Sequence, residues 1–75
     1  MENQELDHLR FAYKSAVERW IEAIREEEDL ATPDHSEVAV EVWERAGFRE
    51  EEASERAKAA RQEYQDGLRK VLYNF

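Results

Sequence analysis

Cysteine is absent from the 75 residues. Its absence removes disulfide staples, thiolate nucleophiles and thiolate metal sites, and fits a chain kept in the reducing cytoplasm. Long hydrophobic runs are missing as well. No apolar stretch approaches the ~18 residues of a membrane span, and residues 1–10 are acidic and polar rather than basic and then apolar. Neither a membrane span nor a secretory leader is expected. Positive charge is scarce, eleven basic residues standing against nineteen acidic for a net charge of -8. Such a chain repels phosphate backbones and anionic lipid, which argues against nucleic-acid and membrane partners. Proline occurs once and glycine twice, so the punctuation is concentrated at Pro33 and Gly47.

Small size is the next constraint. A single domain spanning residues 1–75 has a hydrophobic core that by itself leaves only ~3 to 5 kcal/mol of stability. With disulfides excluded, partner subunits remain as the staple. Disorder competes as a reading because 40% of the residues are charged. Two Trp, three Tyr and three Phe, together with a regular apolar stripe, supply material for a core instead.

The stripe begins with Leu6, Leu9, Tyr13, Ala16, Val17, Trp20, Ile24 and Leu30, at spacings of three and four, and Ile21 and Ala23 widen it. This predicts an amphipathic helix over about 5–30, ~38 Å long at 1.5 Å per residue. Phe11 falls outside the stripe, as a scattered surface residue or an interface anchor. Glu26 to Asp29 place four negative charges at the negative end of the helix dipole, so the last turn should fray unless a basic partner faces it.

Thr32-Pro33-Asp34-His35-Ser36-Glu37 is the strongest loop-to-helix signal. Either Thr32 caps a helix with Pro33 at its first position, or Asp34 caps it with Glu37 reaching back. A second helix is expected from about 34, with Val38, Ala39, Val42, Trp43 and Ala46 on its apolar side. At Gly47 the favoured reading is a break. Phe48 would pack back on Trp43 in a Schellman ending, and Glu50, Glu51 and Glu52 would open a third helix in the turn where the dipole favours anions. Phe48 would staple onto Ala53. The alternative is a glycine tolerated inside one helix of about 40 residues, at roughly 1 kcal/mol relative to alanine. The third helix carries Ala53, Ala57, Ala60, Tyr64, Gly67, Leu68, Val71 and Phe75 on one stripe. Its alanine-rich half leaves room for a ring such as Trp20 or Trp43.

The predicted fold is therefore all-α: an antiparallel hairpin with a broken second arm, three helices over about 5–30, 34–46 and 50–73, assembling into a dimeric bundle. With the break, a short middle helix cannot cover its two longer neighbours. Without it, a ~60 Å helix overhangs a ~38 Å one. Either way apolar surface is left for a second subunit, and a symmetric dimer or higher homo-oligomer is the simplest closure. Phe11, Trp20, Trp43, Phe48, Tyr64, Leu68, Val71 and Phe75 are the interface candidates. Arg56, Lys58, Arg61, Arg69 and Lys70 make the last helix the counterpart of the acidic first one, more for orientation than for stability.

Chemistry is thinly represented. Asp34, His35 and Ser36 have the residue types of a catalytic triad, but neighbours at a helix start diverge where a triad converges, so capping is their expected role. Glu5 and His8 have the Glu-x-x-His spacing of carboxylate-bridged di-iron bundles, and His35 could join them across an oligomer. That makes Glu5, His8 and His35 the candidate metal ligands; the commoner fate of such residues is two surface histidines. No catalytic residue and no cofactor are otherwise implied.

Ala46-Gly47-Phe48 before a helix resembles the turn of helix-turn-helix proteins, which implies DNA binding, although three Glu would open the recognition helix. The tripeptide is also similar to the Met/Ala-Gly-Phe loop of ubiquitin-associated domains, which implies a ubiquitin-like partner. There Ala57 stands near where such domains use Leu, and one long helix replaces two short ones. A helix C-terminus explains the tripeptide more economically. The expected function is a non-enzymatic interaction or structural module that oligomerises in the cytoplasm, with an unidentified protein partner as a variant and a metal-binding bundle as the alternative.

Overall fold

The computed structural model describes residues 3–31, 33 and 36–73. The described residues form two α-helices, α1 (Asn3–Leu30) and α2 (Glu37–Tyr73), which pack against each other. Their direction follows from three pairs that cross between them: Tyr13 with Tyr64, Trp20 with Glu50, and Glu26 with Arg49. Numbers rise along one helix as they fall along the other, so the arrangement is an antiparallel hairpin.

The expected third helix does not exist. Gly47 lies inside α2, which runs unbroken through 37 residues. A helix interior asks of glycine only ordinary helical angles, and the ~1 kcal/mol lost relative to alanine is shared with strong helix formers on both sides. Glu44, Arg45, Arg49, Glu50, Glu51 and Glu52 are such residues. The bare backbone at Gly47 lies under the side chain of Glu27, whose Oε1 would be 3.7 Å from an added Cβ. Phe48 accordingly makes no Schellman contact with Trp43 and no staple with Ala53; it is 68% exposed. The three glutamates expected at a helix start sit in mid-helix. Glu52 pairs with Arg56 at 2.8 Å one turn on, and Glu50 reaches across to Trp20. Because the tripeptide Ala46-Gly47-Phe48 is continuous helix, it forms neither a helix-turn-helix turn nor a ubiquitin-associated-type loop.

The start of α2 also differs from expectation. The helix opens at Glu37 rather than near 34, and Ser36 is its N-cap: the Ala39 amide donates to Ser36 Oγ at 3.2 Å, and the Val40 amide to the Ser36 carbonyl at 3.0 Å. Thr32 and Asp34, the alternative caps, lie outside the described residues. The acidic end of α1 does not fray before Leu30. Ala31 donates back to the Glu27 and Glu28 carbonyls, and Arg49 of α2 meets Glu26 at 2.6 Å, the basic counterpart that this end requires.

A regularity explains why two helices can pack along their full length. In α1 the inward positions Leu6, Leu9, Tyr13, Val17, Trp20 and Ile24 step by three, four, four, three and four, an 11-residue pattern. In α2 Val42, Ala46, Ala53, Ala57, Ala60, Tyr64, Leu68 and Val71 hold the same pattern, with Arg49 in the remaining place. Eleven residues in three turns is close to the period of a straight helix, so both stripes drift only slowly around their helices. Size is divided between them. α1 supplies Tyr13, Trp20 and Ile24, while α2 opposes its Trp20 segment with Ala53 and Ala57, the latter 3% exposed; Ala46, 1% exposed, lies level with the end of α1. Alanines opposite Trp20 let a half-buried indole lie between the helices.

Helix lengths set the shape. α1 is ~42 Å and α2 ~55 Å at 1.5 Å per residue, and the Cα extents are 56 × 16 × 12 Å. Given the Glu26–Arg49 register, Leu30 ends level with residues near 44, and roughly two turns of α2 run on past it. The hairpin is thus a ribbon with two edges and two broad faces, and α2 overhangs at the connecting end.

Candidate functional site

What the ribbon offers is surface. Of the described apolar residues only Ala46 and Ala57 are buried, and no large side chain is fully buried. Nine large apolar residues among those described are exposed, and their placement follows from the geometry above. Val38, Val40 and Trp43 lie on the overhang, past the level at which α1 ends. Val71, Leu72 and Tyr73 lie at the other end of α2, level with the first turn of α1. Phe11 and Phe48 project from the outer edges of their helices. Ile21 lies on a broad face.

The two broad faces differ in character. One is a groove floored by Ala16, Ala23 and Ala53 and rimmed by Arg19, Glu22, Glu26, Arg49, Glu52 and Arg56. At 3.6 residues per turn the opposite face is formed by Val17, Ile21 and Ile24 of α1 with Val40, Trp43, Ser54, Gln65, Leu68 and Leu72 of α2. Ile21, Val40, Trp43 and Leu72 are exposed there at 42%, 39%, 44% and 68%. The alanine groove presents no large apolar side chain; the opposite face carries bulky apolar side chains between charged ones such as Lys14, Glu28 and Arg61.

The predicted interface residues divide accordingly. Trp20 and Tyr64 belong to the seam between the helices: the Trp20 indole donates to Glu50 Oε1 at 2.5 Å, and the Tyr13 and Tyr64 rings are tilted with centroids 6.0 Å apart. Trp43 and Leu68 border the bulky face, Val71 lies at the end of α2, and Phe11 and Phe48 stand at the edges. Phe75 lies outside the described residues. Two participants were not among the sequence-derived candidates, Glu50 and Val40. The 11-residue spacing locates both: Glu50 flanks the inward stripe and Val40 precedes Val42 on the exposed side.

Of the metal candidates, Glu5 and His8 are both exposed. His8 lies on the outer surface of α1 beside Asp7, Phe11 and Lys14, where α2 supplies no carboxylate. His35 lies outside the described residues. Among the described residues no group of three or more His, Asp or Glu side chains could hold a metal ion. No helix of the described residues is long and apolar enough to cross a membrane. No protein-family model, no curated protein and no solved structure matches the chain.

Proposed function

We propose that the chain is a non-enzymatic interaction or structural module of the cytoplasm that works as a homo-oligomer, two or more hairpins closing into a helical bundle. One quantity carries the reading. The hairpin exposes 6144 Å², whereas a compact monomer of its mass exposes ~4800 Å². The surplus of ~1300 Å² exceeds the ~800 Å² that each partner contributes to a stable interface. The radius of gyration agrees, at 17.0 Å against ~11 Å for a compact 75-residue domain. A two-layer ribbon without a third element leaves its core half covered, and a second ribbon is the simplest cover.

The test is mass in solution. Size-exclusion chromatography with light scattering at micromolar concentration is expected to return a multiple of the 8.9 kDa chain mass. A clean monomer that melts cooperatively overturns the reading. A chain that is unfolded alone points instead to obligate assembly with a different protein.

A further inference from the structure

We propose that the second copy covers the bulky face, opposite the alanine groove, and runs antiparallel to the first about a two-fold axis that passes level with Ile21 and Ser54. The inference rests on the homo-oligomer reading and adds the face, the direction and the register.

The face follows from chemistry. Exposed apolar side chains that share a face mark an interaction surface, and Ile21, Val40, Trp43 and Leu72 share this one, spaced along its length among charged residues and continued by the half-buried Val17, Ile24 and Leu68. The groove on the other side offers alanine between Arg and Glu rims. Its charges are already arranged within the chain, as in Arg49 with Glu26 and Arg56 with Glu52.

Register follows from length. Two rods of equal length overlap most when the two-fold passes through the middle of α2, and Ser54 is one residue from that midpoint. The Glu26–Arg49 register places Ile21 of α1 at the same height. An antiparallel copy centred there lays Ile21 against Ile21 and Ser54 against Ser54. Val40 and Trp43, the overhang of one ribbon, fall on Leu68 and Leu72, the far end of the other. The two apolar ends that each hairpin leaves uncovered therefore cover one another.

Charge selects this direction over the parallel one. In the antiparallel pairing Lys14 of one copy stands level with Glu28 of the other, Lys58 with Glu50, and Arg61 with Gly47, about one turn from Glu50. Each meeting occurs twice by symmetry, and Lys14 with Glu28 and Lys58 with Glu50 join opposite signs. A two-fold along the rod would instead bring Lys14 of one copy level with Arg61 of the other and Ile24 level with Glu51. Like charges and a buried carboxylate disfavour that arrangement.

Because the chain has no cysteine, single substitutions report proximity directly. Each variant is first checked for native helicity by circular dichroism. Under mild oxidation Ile21→Cys is expected to form a covalent dimer about tenfold faster than Ala16→Cys, since a disulfide requires Cβ atoms ~3.5 to 4.5 Å apart. Val40→Cys mixed with Leu68→Cys should give a mixed dimer, and Val40→Cys by itself should not. Lys14→Glu should lower the dimer fraction, and adding Glu28→Lys should restore it. Rapid linkage of Val40→Cys to itself overturns the direction. Linkage of Ala16→Cys with Ile21→Cys silent overturns the face, while leaving the homo-oligomer in place. A monomeric mass for the unsubstituted chain removes both.

Discussion

Trp20 and Glu50, thirty residues apart in sequence, meet through a hydrogen bond from the indole nitrogen to the carboxylate, which ties the two helices together across their seam. A charged acceptor strengthens it, and partial exposure moderates it. Glu50→Ala is expected to cost about 1 kcal/mol in chemical denaturation, against near-neutral effects at the exposed Glu63. Trp20→Ala, which also empties the space over the alanines, is expected to cost about 3 kcal/mol. Equal effects of the Glu50 and Glu63 substitutions would count against this tie between the helices.

Gly47 is a helical residue with room beside it. Gly47→Ala should raise stability by about 1 kcal/mol, because alanine gains helix propensity and its methyl meets Glu27 Oε1 at an ordinary distance. Gly47→Pro should cost about 3 kcal/mol or more by breaking α2 at its most closely packed turn. Thermal melts of the two variants decide the matter: a melting temperature lowered by the alanine shows that the position needs glycine for another reason.

Ala57, 3% exposed, is a close-approach position rather than generic apolar filler. Ala57→Leu should destabilise by about 1 to 3 kcal/mol through overpacking, although leucine is an excellent helix former. Ala59→Leu, on the exposed side two residues on, should change stability by less than about 0.5 kcal/mol. A stabilising Ala57→Leu would mean that the helices are free to move apart.

Assembly makes stability depend on concentration. If hairpins pair, the melting temperature should rise when the protein is concentrated a hundredfold, because folding and association are then one equilibrium. The Arg49–Glu26 pair should matter little, since both side chains are about half exposed; Arg49→Ala is expected to cost under about 1 kcal/mol and less in high salt. A melting temperature independent of concentration would indicate a self-sufficient monomer.

Much of this architecture can be read from residue order. The α1 stripe, the apolar set of α2 and the shortage of core residues are local or compositional properties, and helical periodicity makes them visible without coordinates. Ser36 as the cap, the passage of α2 through Gly47 and the exposure of Phe48 are not visible in that way. Thr32, Asp34 and Ser36 are all competent caps, and a lone glycine before an aromatic residue is as compatible with an ending as with a tolerated interior site.

By itself, then, the order of residues determined that the chain is helical and that its second half tapers from alanine to bulky side chains. Tertiary structure decided the continuity of α2, because a helix through Gly47 gains the Arg49–Glu26 and Trp20–Glu50 pairs only when α1 lies alongside. It also decided which apolar residues remain outside. Burial depends on where a neighbouring helix ends, and α1 stops about two turns short of the start of α2.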